Sequence, residues 1–190
     1  MQVSKQFKLH KACDNDKGSL RPALQSIHFD GKNLVATNGH ILAVVKPEID
    51  KNDKPGNIPM KAFIEASKIG TKKENAKLTT TEHQVKIGEN GNGQAFDLIL
   101  DKFPDWQAVM PSKEIKEKPV FKLRFNVDNL KRLTEAMGST TGIVTLYFSN
   151  ENMDDHGYLT CESAIPITVD DAYERSDNNS QGILMPVRTY

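Results

Sequence analysis

Apolar residues along the chain fall into short alternating runs separated by turn signals, with helical spacing replacing the alternation twice. The densest stretch covers residues 24–45. Leu24, Ile27 and Phe29 lead to Asp30-Gly31-Lys32, then come Leu34-Val35-Ala36, Thr37-Asn38-Gly39-His40, and Ile41 through Val45. Asp-Gly and Asn-Gly tolerate the positive φ of tight hairpin turns, so strands joined by two such turns are predicted. The Thr37–His40 turn can be a plain hairpin turn. It can also stand at the lip of a groove in which Leu24 and Leu42 receive an apolar peptide.

Residues 5–10 alternate around Phe7 and Leu9 and predict a strand, whereas 10–19 are too weakly patterned for a helix. Pro59 opens a helix, where its missing N–H costs nothing. Met60, Phe63, Ile64 and Ser67 share one face of it, Lys61, Glu65 and Lys68 the other, and Gly70 ends it. Strands are predicted at 78–81, 85–87 and 95–100. The glycine cluster 88–93 leads into a strand and not a helix, so it reads as a hairpin turn and not as a phosphate cradle.

Residues 112–119 are charged and carry one apolar residue, Ile115, between Ser112 and Pro119, and read as a linker. Phe121, Leu123 and Phe125 alternate as a strand. Asn126 is a helix N-cap, with Phe125 and Leu130 as a hydrophobic staple. The helix it opens buries Val127, Leu130, Leu133 and Met137, exposes Asp128, Lys131, Arg132 and Glu135, and stops at Gly138. Strands at 143–148 and 158–162, an excursion over 170–182 and a last strand at 183–188 complete the reading.

Segments 58–111 and 121–188 share one plan: a capped helix, strands joined by polar turns, and a final apolar stretch ending in Met-Pro. Residues 4–46 look like the same unit with its helix reduced to 10–19. Repeated strand–helix–strands units predict an α+β fold of quasi-symmetric modules with a continuous sheet, helices on one face of antiparallel sheets.

Composition narrows the function classes. Lys+Arg and Asp+Glu both total 25, so no strongly basic or acidic bias marks the whole chain. Cys13 and Cys161 lack CxxC spacing, and no apolar stretch resembles a signal core or a membrane span, so a soluble, reduced, cytoplasmic protein is expected. Asp14-Asn15-Asp16-Lys17-Gly18 is a poor calcium loop, with its glycine one place early and Gln25 where a bidentate Glu is needed. The five histidines are scattered, and no HExxH, P-loop or GxSxG occurs. Asp154-Asp155-His156 could hold a metal but reads better as a polar hairpin turn. No enzyme and no cofactor are expected.

Three motifs then carry a resemblance. Thr37-Asn38-Gly39-His40-Ile41-Leu42, Phe103-Pro104-Asp105-Trp106 and Met185-Pro186-Val187-Arg188 stand in the same order as in the bacterial replicative sliding clamp, the β subunit of DNA polymerase III. Residues 1–112 resemble that family's middle domain with its first helix reduced, and 113–190 resemble the second half of its last domain. The resemblance implies a DNA-clamp-like fold and a processivity factor that encircles or tracks duplex DNA, sequence-independently, as a homo-oligomer. Implied partners are DNA polymerase or other replication and repair proteins, held through short peptide motifs, and a clamp loader.

By motif, the implied peptide pocket comprises Leu24, Thr37, Gly39, His40, Leu42, Pro104, Val109, Ile183, Met185, Pro186, Val187 and Arg188. Its apolar walls would bury leucine or phenylalanine anchors, with Met adapting to several partners. Ile41 and Ala108 replace arginines common in the family and make the rim less basic. DNA contacts are implied for Lys61, Lys68, Lys72, Lys73, Lys131 and Arg132, although an ordinary solvated helix face explains the same residues. A second function class is a monomeric adaptor or decoy that binds clamp-binding peptides without encircling DNA.

Overall fold

The structure is a computed structural model and describes residues 1–16, 18–71, 74–88, 93–111, 125–136, 143–147, 167–171 and 181–184. It divides into a first unit, Met1–Met110, and a second, Pro111–Tyr190.

The first unit holds two four-stranded antiparallel sheets. One consists of β2 (Ser26–Phe29), β3 (Leu34–Thr37), β4 (Leu42–Val45) and β5 (Gly56–Pro59), in the order β4-β3-β2-β5. The other consists of β1 (Gln2–Val3), β6 (Ala76–Thr80), β7 (Gln84–Ile87) and β8 (Ala95–Asp97), in the order β1-β6-β7-β8. Single antiparallel bridges, Gln2 to Glu48 and Asn57 to Ile99, tie the two sheets at their edges.

Helix α1 (Met60–Lys68) follows Pro59 directly, and Gly70 leaves it at φ +73°. Lys5 donates from Nζ to the carbonyls of Ile69 and Thr71, a cation on the carbonyl end of the helix. The buried face is Ala62, Phe63 and Ala66, not the expected Phe63–Ile64–Ser67 stripe. Small alanines let the helix approach the sheets closely. In the main core these residues meet Ile27, Phe29, Leu34 and Ile58 from one sheet and Leu78, Val85 and Ile87 from the other.

The first sheet is covered on both faces, which is why 34–36 reads as an unbroken apolar run. Leu34, Ala36, Ala43 and Val45 pack on the main core. Val35 faces the opposite side, with Leu42 and Val44 against Phe103, Ala23 and Trp106. The β2–β3 turn is closed by Asp30. One of its carboxylate oxygens accepts from the backbone N–H groups of Lys32 (2.7 Å) and Asn33 (2.6 Å), and Gly31 takes φ +94°. Burial alone would raise the Asp30 pKa, but the bonds from Asn33 and Lys32 outweigh it and hold the carboxyl below its ordinary value.

Several expectations need correction. Residues 5–10 are not a strand: Phe7 is exposed, Leu9 opens a 3-10 turn (Leu9–Ala12), and the strand lies earlier at β1. That short turn, packed on the core through Leu9 and Ala12, is the helical element found in 10–19. The strand expected over 95–100 stops at Asp97. Asp14 and Asp16 spend carboxylate oxygens on the backbone N–H groups of Asp16 and Gly18, as ordinary turn residues do. Cys13 is buried, and burial pushes its thiol up to about 12.

In the second unit, β9 (Val144–Tyr147), β10 (Ile167–Asp171) and β11 (Gln181–Leu184) form a three-stranded antiparallel sheet in the order β11-β10-β9. Helix α2 (Val127–Ala136) is capped by Asn126, whose side-chain oxygen accepts from the N–H groups of Asp128 (2.8 Å) and Asn129 (3.1 Å). Leu184 is buried among Phe125, Leu130, Leu133, Val144 and Leu146, a cluster holding both ends of the expected staple. Val127, expected in the core, is 68% exposed, because the first helical position turns away from the sheet. Strands β10 and β11 correct both ends of the excursion expected over 170–182. β10 runs to Asp171, and the last strand, expected at 183–188, already begins at Gln181, with 185–188 outside the described residues. The linker at 112–119, most of the strand expected at 121–125, the Met137 and Gly138 helix end, the strand at 158–162 and Asp154-Asp155-His156 lie outside the described residues.

His10 supplies a pH dependence. Its Nδ1 is buried without a protein partner. Burial, aided by the charges of Lys11 and Lys8, holds the imidazole below its ordinary 6.5. The unfolded chain therefore binds this proton more readily, so the contribution of neutral His10 is complete above that value and fades as the pH falls through it. Urea midpoints measured between pH 7.5 and 5 should drop, and His10→Gln should remove that component. An unchanged slope in the variant contradicts the assignment.

Candidate functional site

A cavity of about 710 Å³ opens in the first unit, a volume typical of ligand sites. Three separated stretches build it. The first is the 3-10 turn Pro22–Gln25 with Leu20 and Arg21 before it. The second is the turn between β3 and β4. The third runs from Asp101 through Val109, at the end of a second 3-10 turn, Gln107–Val109.

The β3–β4 turn satisfies its own polar groups. Thr37 Oγ1 donates to the Ile41 carbonyl (2.6 Å) and accepts from the Gly39 N–H (3.0 Å). Asn38 Oδ1 accepts from the N–H groups of His40 (2.9 Å) and Ile41 (3.0 Å). Gly39 sits at φ +90°, so the Asn-Gly signal read in the sequence performs its expected backbone role. The third stretch is fixed by Phe103, which is buried with Ala23 and Val35. Its ring stacks on His28 at 4.7 Å between centroids and 9° between planes. Asp105 Oδ1 accepts from the Gln107 N–H and holds the turn that carries Val109.

The floor is apolar and buried at Leu24, and half-buried at Leu42 and Trp106. The lip is apolar and open: Leu20 is 95% exposed, Val109 70% and Ile41 52%. Two cations, Arg21 and Lys102, and two carboxylates, Asp101 and Asp105, share the rim. Net charge therefore selects little, and apolar fit dominates what the cavity can hold.

All seven motif residues of the first unit, Leu24, Thr37, Gly39, His40, Leu42, Pro104 and Val109, line this one cavity. Ile183 lies in β11 of the second unit. Met185, Pro186, Val187 and Arg188 lie outside the described residues. Sequence reading missed Leu20, Arg21, Pro22, Ala23, Asp101, Lys102, Asp105 and Trp106 as lining residues. Trp106 was readable, being the aromatic of the Phe-Pro-Asp-Trp motif, whereas Leu20 has no signal beyond its nearness to Leu24. Ile41 lines the cavity where arginine was the family expectation; Ala108 does not.

Of the residues considered for DNA, Lys61 and Lys68 are exposed on α1, and Lys68 pairs with Glu65 at 2.9 Å. Lys131 and Arg132 are exposed on α2. Lys72 and Lys73 lie outside the described residues. Among the described residues no group of three or more His, Cys, Asp or Glu side chains could hold a metal. Among them, too, no helix is long and apolar enough to cross a membrane.

Residues 5–105 match the family model described as DNA polymerase III beta subunit, central domain. No protein of curated function matches the chain by sequence. The fold is similar to that of the DNA polymerase III subunit beta of Borrelia burgdorferi, solved in complex with a natural product. Identity is 15% and the TM-score 0.66, over 97% of this chain and 47% of that one. For the DNA polymerase sliding clamp of Pseudomonas aeruginosa the values are 14% and 0.62, over 98% and 50%. For the Helicobacter pylori beta clamp bound to a DNA ligase peptide they are 13% and 0.56, over 98% and 49%. The chain thus spans about half the length of these structures, and at such identities they speak for the fold alone.

Proposed function

The chain belongs to the DNA polymerase III beta subunit family through its central-domain segment, and from that premise we propose that it is a sliding-clamp-like processivity factor or scaffold. In this reading it encircles or tracks duplex DNA as an oligomer, captures partner proteins by short apolar peptides, and catalyses nothing itself. The observation that supports the peptide role most is the convergence of seven motif residues, from three stretches spread over 86 positions (24 to 109), on one apolar cavity. Buried leucine or phenylalanine anchors would each contribute about 1.5–3 kcal/mol before ordering costs. The DNA ligase peptide seen on the Helicobacter pylori clamp suggests the class of occupant. Polymerases and repair proteins carrying such segments are the proposed partners, with Ile183, Met185, Pro186, Val187 and Arg188 as further pocket residues and 113–190 as half of a last clamp domain.

Loading on a nicked circle against a linear duplex tests the encircling claim. Retention at high salt on the circle alone supports a closed ring, while equal loss from both leaves the monomeric adaptor. For loose phosphate contact through Lys61, Lys131 and Arg132, Lys61→Ala combined with Lys131→Ala should flatten the plot of log affinity against log salt. The slope should fall by about 0.9 per contact removed. An unchanged slope returns these residues to an ordinary solvated face.

A further inference from the structure

We infer that Asn57 and His28 are positioning residues for the cavity: they clasp residues 99–103 and thereby set the wall that follows at 104–109. The inference rests on reading the cavity as a peptide site. Asn57 stands in the edge strand β5 and is 6% exposed. Its carbonyl accepts from the Ile99 N–H at 2.9 Å. Its side-chain Nδ2 donates to two carbonyls of the same segment, Ile99 (3.2 Å) and Asp101 (2.6 Å). With Nδ2 committed as donor, Oδ1 is the acceptor, and it lies 2.7 Å from His28 Nδ1. His28 therefore carries its proton on Nδ1, and its ring is fixed flat against Phe103.

The clasp matters because strand pairing has already ended. β8 stops at Asp97; beyond it the Leu98 N–H still donates to the His83 carbonyl and its side chain packs in the main core. The single Asn57–Ile99 bridge is then the last sheet pairing of the segment among the described residues. Leu100 points outward at 88% exposure and anchors nothing. The amide of one side chain thus replaces the ladder over the residues leading to Asp101, Pro104 and Trp106, all on the cavity lining. A buried amide left without these bonds would be costly, so its placement here commits the segment to one path.

Trp106 is the single tryptophan of the chain and reports on this wall directly. Acrylamide quenching of Trp106 and the affinity of a fluorescein-labelled peptide with leucine and phenylalanine anchors are to be measured on the full chain. The variants are Asn57→Leu, His28→Phe and, as a core comparator away from the cavity lining, Val85→Ala. His28→Phe keeps a ring for Phe103 while removing the Nδ1 donor to Asn57, so it decides the matter if Asn57→Leu fails to fold. Both clasp variants should raise Trp106 quenching about twofold and weaken the peptide about tenfold, while Val85→Ala, though less stable, changes neither. Unchanged Trp106 quenching in the folded clasp variants overturns the inference. Altered quenching in a chain whose parent binds no peptide keeps the clasp and sinks the peptide reading instead.

Discussion

Leu42→Ala should weaken peptide binding by about tenfold to a hundredfold and leave the fold in place. Leu42 sits where β4 leaves the turn, half-buried, packed on the Val35–Phe103 cluster and lining the cavity. Its outer surface is what an incoming anchor would touch. Truncation removes apolar contact worth about 1.5–3 kcal/mol when an anchor is fully buried against it, hence the range. Stability changes less, since the side chain is already partly solvated and the main core lies on the other face of the sheet. Fluorescence anisotropy with the labelled peptide checks the affinity, and circular dichroism checks the fold. Parent-like affinity in the folded variant would remove Leu42 from the site.

Phe103→Ala should be the most damaging change near the cavity. The ring is buried, fills the space between Ala23 and Val35, and stacks on His28. Removing a buried phenylalanine costs about 3–5 kcal/mol, because the hole collapses only in part. For a chain of 190 residues that corresponds to a fall in Tm of about 10 °C. The effect should also be local. Phe103 immediately precedes Pro104 and Trp106 on the cavity wall, so Trp106 emission should shift toward the red well below the global transition. A Tm within 2 °C of the parent, with unshifted Trp106 emission, would show that the ring holds nothing.

Much of the first unit was readable because its signals are local. Asp30-Gly31 and Asn38-Gly39 demanded positive φ and received it, and Pro59 and Gly70 bounded α1. Asn126 capped α2 as its side chain allows. What failed depended on distant contacts. Phe7 and Leu9 alternate like strand residues, but two apolar positions are too few to outweigh a 3-10 turn whose Leu9 and Ala12 dock on the core. On α1, bulk pointed to Ile64, whereas the close approach to two sheets selected Ala62 and Ala66. Ile167 and Val169 do alternate, yet Asp170 and Asp171 masked β10, whose place in the ladder comes from its two neighbours. The cavity was legible only as a motif set. Its apolar lip at Leu20 and its hidden clasp at Asn57 depend on segments far apart in sequence, which periodicity does not report.

Whether the cavity is a peptide site is settled most directly by titrating the full chain with the leucine- and phenylalanine-bearing peptide while following Trp106 emission. The expected result is a saturable blue shift as the indole is covered, with the midpoint moved at least tenfold higher in Leu42→Ala. Saturable binding by anisotropy with Trp106 unmoved and Leu42→Ala as tight as the parent would place the peptide elsewhere, and no binding at all would contradict the reading outright.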